Sequence, residues 1–244
     1  MRRKTGKRMM MTIAFAIALL LGTFLWLGYI GGTVFTPMLP DHYRPRPEGS
    51  VAILWSGDMG FHTGMGPKIA NRLVKDGIPV VGMNSLAYFN VKRTPEETEA
   101  LLERSIEEAR RIDPKARLVL IGQSYGADML QVALARLPAR ERGAVGQIVL
   151  IVPGVTVAFR ASPTEIFTFA LHEDSALPTA RTLGWAPTLC IGGRDETSSL
   201  CPLLHQRGVR TVLLPGGHPL RRDDEAVYGV LRRVMALPGV AGGK

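Results

Sequence analysis

The chain has 244 residues, 46% of them hydrophobic, and carries 30 Lys and Arg against 21 Asp and Glu, a formal net charge of +9. Such a length and composition support one large domain or two small ones around a real core. Five of the positive charges fall in the first eight residues, leaving +4 for the rest, and no basic run is interleaved with aromatic residues, which argues against a nucleic-acid partner.

Taken in chain order, residues 1–8 form a basic tail with Arg2, Arg3, Lys4, Lys7 and Arg8 and no acid. Residues 9–35 contain no charged side chain and are long enough to cross about 30 Å of hydrocarbon, so they read as an uncleaved transmembrane anchor. A cleaved signal peptide would have a shorter apolar region closed by small residues of the AxA kind, and none is found. The positive-inside rule keeps the tail cytoplasmic and sends the remainder across, which in a bacterial cell means an inner-membrane protein with its domain in the periplasm. Residues 36–50, TPMLPDHYRPRPEGS, read as a proline-rich spacer, so the folded part is expected over 51–238, with 239–244 as a tail.

Six short apolar runs follow, at 51–55, 79–83, 118–122, 147–152, 187–191 and 209–214. Runs without alternation suit strands buried on both faces of a parallel sheet. Between them the spacing predicts helices over 64–76, 95–112, 125–136, 199–206 and 223–236. The second has the clearest start, because Thr94 caps, Pro95 fits the first helical position and Glu97 completes a capping box. Strand alternating with helix predicts one α/β domain with a mostly parallel sheet of about six strands and helices on both faces. The stretch 155–186 breaks the rhythm, with Phe159, Phe167, Phe169 and Trp185 scattered through it. It reads as a cap over the carboxyl end of the fourth strand, or as ordinary core.

Residues 118–126, LVLIGQSYG, join a buried strand to a helix through GxSxG, the pattern of a sharp turn that exposes a nucleophilic serine, here Ser124. On the simpler alternative Ser124 only caps the helix behind it. A serine hydroxyl needs a base, and the base needs an acid to hold it. His218 is the best placed of the five histidines, since Pro215, Gly216 and Gly217 free a loop after the last strand. His42 falls in the spacer, His62 in the first loop, His172 in the cap and His205 in a polar helix region. The acid is expected after the preceding strand, in GGRDE, where the GxxD spacing from Gly192 favours Asp195 and leaves Glu196 in reserve. The order serine, acid, histidine is that of α/β hydrolases. Oxyanion donors are expected from the backbone N–H of Tyr125 and from Asp58 or Met59 in WSGDMGF. Cys190 and Cys201 read as one disulfide in an oxidising compartment, and as two buried thiols otherwise. No metal site is read here, because His205 alone does not complete one around the cysteines.

The pieces WSGDMGF (55–61), PVVGMNSLAYF (79–89), RTPEE (93–97), LIGQSYGADML (120–130), LCIGGRDETSSLCP (189–202) and LPGGH (214–218) together resemble the bacterial virulence protein VirJ and the C-terminal domain of AcvB, over about residues 50–236. The resemblance implies an α/β-hydrolase fold on the outer side of the inner membrane, acting without cofactor on the aminoacyl ester of lysyl- or alanyl-phosphatidylglycerol. It carries the nucleophile to Ser124, the histidine to His218 and the acid to Asp195 or Glu196. It brings Asp128 in as a partner for the substrate's amine, with a helix-surface charge as the alternative, and Tyr88 and Phe89 as further substrate-binding candidates. It also implies a second class of role, a non-catalytic accessory to secretion that binds exported proteins. A generic anchored esterase or thioesterase is a third reading. The chain departs from the family pattern at GDMGF, where GDGGW is usual, and at Pro219 and Leu220 after the histidine, where HHF is frequent.

Overall fold

In the computed structural model of the protein, which describes residues 2–46, 48–161 and 173–235 with side chains from residue 8 onward, the six apolar runs become six parallel strands. They are β2 (Ser50–Trp55), β3 (Val80–Met83), β4 (Arg117–Gln123), β5 (Val145–Ile151), β8 (Thr188–Gly193) and β9 (Val209–Leu214). A seventh strand, β1 (Phe35–Met38), runs antiparallel along β3 with Phe35 opposite Met83, giving the order β1-β3-β2-β4-β5-β8-β9. A separate ribbon pairs β6 (Thr156–Val157) with β7 (Asp174–Ser175).

The helices are α1 (Arg2–Trp26), α2 (Met65–Lys75), α3 (Ser85–Tyr88), α4 (Pro95–Ile112), α5 (Tyr125–Arg136), α6 (Ala139–Arg142), α7 (Leu177–Ala180) and α8 (Asp224–Val234). Successive side chains of a strand point to opposite faces, so each run feeds two cores. Val51, Ile53 and Trp55 pack with Leu101, Leu102 and Ile106 of α4 and Met129 and Leu130 of α5. Ala52 and Leu54 pack with Ile69 and Leu73 of α2 and Val227 and Leu231 of α8 on the other face. The sheet is covered on both sides, which is why its strands carry no polar alternation. The capping box read at Thr94 and Glu97 is formed in both directions.

Three expectations are corrected. The stretch read as a spacer supplies β1: its Pro37 is tolerated because an edge strand need not donate on its outer side. Tyr43 then ties the following loop back to Asp113 through a 3.2 Å hydrogen bond. The expected helix over 199–206 is only a 3₁₀ turn, Cys201–Leu203. Leu200 donates to Pro153 and Ser199 bridges Gly154, so the segment is drawn toward the end of β5 before it can wind. The apolar helix of the expected anchor stops at Trp26 rather than continuing toward Phe35. Of the expected cap, Phe159 and Trp185 join the core on the α4–α5 side, and β6 and β7 flank the end of the sheet; Phe167, Phe169 and His172 lie outside the described residues.

Candidate active site

The turn after β4 holds Ser124 at φ 53° and ψ −127°, a conformation that L residues rarely adopt. Two glycines make it possible by removing side chains that would collide. A Cβ on Gly122 would lie 2.5 Å from Cα of Ala127, and one on Gly126 would lie 2.3 Å from the carbonyl oxygens of Trp55 and Ser56. Strand, turn and helix therefore close on one another only with glycine at both places. The Ser124 N–H donates to Ile151 at 2.8 Å, and the Ser124 carbonyl accepts from Ala127 at 2.7 Å, which fixes the crest.

His218 reaches this crest from the loop after β9, where Gly216 takes φ 99°. Ser124 Oγ is 2.7 Å from His218 Nε2, and His218 Nδ1 is 2.6 Å from Glu196 Oε1. With the Nδ1 proton donated to the carboxylate, Nε2 is left to accept from the serine hydroxyl. Behind His218 the residues Leu220, Arg221 and Arg222 all have positive φ, at an expected cost of about 1–2 kcal/mol each. Leu220, buried to 2% exposure in the α2–α8 core, anchors that turn.

The carboxylate facing His218 is thus Glu196 and not Asp195. The turn that leaves β8 starts at Gly193, one residue later than the GxxD reading assumed, with Glu196 N–H donating back to Gly193. That register swings Glu196 inward, to 6% side-chain exposure, and leaves Asp195 exposed with its N–H on the Gly216 carbonyl. Cys190 and Cys201 form a disulfide that closes the loop carrying Glu196.

Two cavities meet at the Ser124–His218 pair. The first, about 200 Å³, is lined by Tyr125, Asp128, Gly154, Glu173 and Glu196 among others, with Arg160 at its exposed side. Asp128 Oδ1 accepts from Gly154 N–H at 2.8 Å. Burial pushes its carboxyl up to about 8, against the lowering effect of Gly154, with Glu196, Asp58 and Glu173 adding to the rise. It is therefore no helix-surface charge. The Tyr125 hydroxyl is raised well above its ordinary value, by burial first and then by Asp128 and Asp58. Tyr125 Oη and Glu196 Oε2 are both buried without a hydrogen-bond partner among the described residues. The second cavity, about 570 Å³, is lined by Thr63, Gly64, Met65, Lys68, Pro219 and Arg222, and Asp58 borders both.

Among the oxyanion candidates, Tyr125 opens α5, where the first N–H groups have no carbonyl four residues back to bind. Asp58 lines both cavities, while the Met59 side chain packs into the core. Tyr88 and Phe89 are not brought to either cavity. Tyr88 donates its hydroxyl to the Glu97 carbonyl at 3.0 Å under the Arg93 guanidinium, and Phe89 is wholly buried, edge-on to the Tyr125 ring at 5.4 Å. The resemblance implied a substrate-binding role for both; instead Phe89 backs the Tyr125 ring, and Tyr88 packs edge-on against Phe89. Glu173 and Arg160 line the first cavity as the cap reading of 155–186 allows, but no motif in that stretch singles out either residue. Among the described residues no three His, Cys, Asp or Glu side chains are grouped to hold a metal ion.

Residues 49–236 match the family of the bacterial virulence protein VirJ. No curated protein matches the chain. Among solved structures it is similar to a putative dienelactone hydrolase from Klebsiella pneumoniae, with TM-score 0.59 and 14% identity over 83% of this chain and 91% of the other. It is also similar to the esterase Est1E from Butyrivibrio proteoclasticus, with TM-score 0.58 and 13% identity over 83% and 92% of the two chains. An α/β serine hydrolase without lid from Xanthomonas campestris gives TM-score 0.52 and 18% identity over 84% and 89%. At such identities the likeness establishes the fold, which is that of the α/β hydrolases.

Proposed function

The chain belongs to the bacterial virulence protein VirJ family, and on that premise we propose a membrane-anchored periplasmic serine hydrolase that cleaves the aminoacyl ester of aminoacyl-phosphatidylglycerol. The observation that carries the reading is the unbroken hydrogen-bonded line Glu196–His218–Ser124 at the mouth of two cavities.

In the proposed reaction His218 Nε2 takes the proton as Ser124 Oγ attacks the ester carbonyl, and Glu196 stabilises the imidazolium that forms. The carbonyl oxygen becomes an oxyanion, for which the N–H groups of Tyr125 and of the Asp58–Met59 turn are the candidate donors. Collapse returns the proton from His218 to the glycerol oxygen, which leaves as phosphatidylglycerol. Water, deprotonated by the same histidine, then releases the amino acid from Ser124. The carboxylate-lined cavity favours a cationic acyl group. Asp128, neutral in the empty site, becomes a counter-ion when an ammonium approaches and lowers its pKa.

The test is lipid chromatography of aminoacyl-phosphatidylglycerol incubated with the full chain, wild type beside Ser124→Ala. Wild type is expected to release amino acid and the variant to lose at least about 10⁴-fold of that rate while keeping its fold. Equal release by both, or release by neither, would reject the hydrolase. A fluorophosphonate that labels Ser124 in wild type gives a second readout of the nucleophile, independent of the lipid.

A further inference from the structure

The apolar part of α1, Arg8–Trp26, reaches mean hydropathy 2.1 over an 18-residue window that the other described residues leave uncovered. At about 1.5 Å per residue it extends roughly 28 Å, close to the thickness of a bilayer's hydrocarbon core. A flexible spacer after such a span would let the domain tumble above the membrane. Here none follows: the next residue, Leu27, is only 3% exposed.

The contacts that bury it are specific. The Leu27 carbonyl accepts from Asn84 Nδ2 at 3.3 Å, and the Trp26 ring lies 6.1 Å from that of His62. Asn90 Nδ2 donates to the Tyr29 carbonyl at 2.9 Å, and the Tyr29 hydroxyl returns a weaker bond to the Asn90 carbonyl at 3.4 Å. The Val34 carbonyl accepts from Asn84 N–H at 2.8 Å just before β1 joins the sheet. Asn84 and Asn90 bracket α3, and His62 belongs to the loop after β2. Both segments follow the carboxyl ends of their strands, the edge of the sheet that also carries Ser124.

The path between anchor and serine is short. A Cβ on Gly60 would lie 2.9 Å from the Leu27 carbonyl, and one on Gly57 would lie 3.5 Å from Ser124 Cβ. Gly60 N–H donates to Gly57 at 3.1 Å, so these two glycines close one tight turn. Turns of that kind hold their ends within about 7 Å, which puts the exit of α1 within roughly 16 Å of the serine. Around that exit Ile30 is 46% and Val91 50% exposed, neighbours through the Tyr29–Asn90 pair, with Lys92 exposed beside them. They continue the apolar surface of Leu25 and Trp26, themselves 57% and 61% exposed.

We infer that this rim docks on the headgroup layer of the bilayer that the same chain's α1 crosses, so that the domain is held in one orientation with its active-site edge toward the lipid. The occupant is a phospholipid leaflet, because the patch follows in the chain directly on an apolar span that the other described residues leave uncovered, and because apolar side chains beside a lysine suit the boundary between acyl chains and headgroups. The substrate is then drawn from the protein's own leaflet. The inference rests on reading α1 as an anchor and deepens the proposed function without depending on which ester is cut.

The experiment uses the full chain in vesicles of phosphatidylethanolamine and phosphatidylglycerol, with a thiol-reactive fluorophore at Val91→Cys or, as a reference on β9, Leu213→Cys. The two native cysteines are joined to each other and do not compete for the label. Docking predicts that nitroxide-bearing lipid quenches the label at 91 several-fold more than the label at 213, with the reverse order for aqueous iodide. Equal iodide access at both positions would overturn it. So would shielding of position 91 from both quenchers, which would mean that a second protein copy covers the patch. As a functional arm, the pair Ile30→Glu and Val91→Glu should slow hydrolysis in vesicles by about ten-fold or more and leave fluorophosphonate labelling in detergent unchanged; undiminished hydrolysis in vesicles overturns docking. If no aminoacyl lipid is hydrolysed at all, the proposed function falls while the quenching result still decides the orientation.

Discussion

The two sides of the Ser124–His218 pair differ in size and in charge. Toward β5 and β6 the cavity is about 200 Å³ and carries Asp128, Glu173 and Glu196, with two buried oxygens that have no partner among the described residues. Toward α2 it is about 570 Å³ and carries Lys68 and Arg222 beside Asp58 and Asp224. Lys68 is held there by Asp224, 3.1 Å away. An ester that straddles the serine therefore meets a confined side dominated by carboxylates and a broader side of mixed charge whose Arg222 is exposed. Under the proposed reading the small ammonium-bearing acyl group would take the confined side and the larger anionic alcohol the side that holds Arg222.

The sharpest way to break this comparison is at the acid shared by the hydrogen-bonded Ser124–His218–Glu196 line and the smaller cavity. Glu196→Ala should lower kcat by about 10³–10⁴-fold, whereas Asp195→Ala should stay within about three-fold of wild type. Steady-state rates on a neutral activated ester measure both, and the reverse order would return the role to Asp195.

A smaller effect, confined to cationic substrates, is expected at Asp128. Asp128→Asn should raise KM for an aminoacyl ester by roughly 10- to 100-fold, the scale of one hydrogen bond to a charged group, and leave a neutral ester unaffected. Its stability should move the other way. The native carboxyl titrates at about 8, far above the unfolded value near 3.9, so the native state holds its proton more tightly. The stability tied to that proton is present below about pH 4 and declines as pH rises to about 8. Thermal melts should therefore show the variant level with wild type at pH 4 and above it at pH 8.

The smallest effect belongs to the broader side. Arg222 is exposed, and Arg222→Ala should raise KM for a phosphate-bearing substrate by only about two- to five-fold, falling with added salt. An equal change for a neutral ester would remove the leaving-group assignment.

The strand runs and the helices at 95–112 and 125–136 were legible because each is a local pattern: unbroken apolar residues, a capping box, and glycines at a turn that tolerates no side chain. Ser124 and His218 were legible for the same reason. Strand β1 was not, since FTPM joins the sheet only through Val80–Met83, some 45 residues on, and its proline reads locally as a spacer. Glu196 was displaced by Asp195 because adjacent carboxylates in one turn differ only in which side the turn presents. Asp128 could be named from its motif, but its raised pKa comes from burial beside Asp58, Glu173 and Glu196, which lie far away in the chain.

The sequence by itself determined the sheet's parallel core, the apolar span and the serine's turn, because each depends on side chains within a few residues of one another. Only the tertiary structure decided which acid meets the histidine, which carboxylates share a cavity and where the span meets the domain. Those depend on hydrogen bonds and burial between segments that the chain's local pattern does not relate.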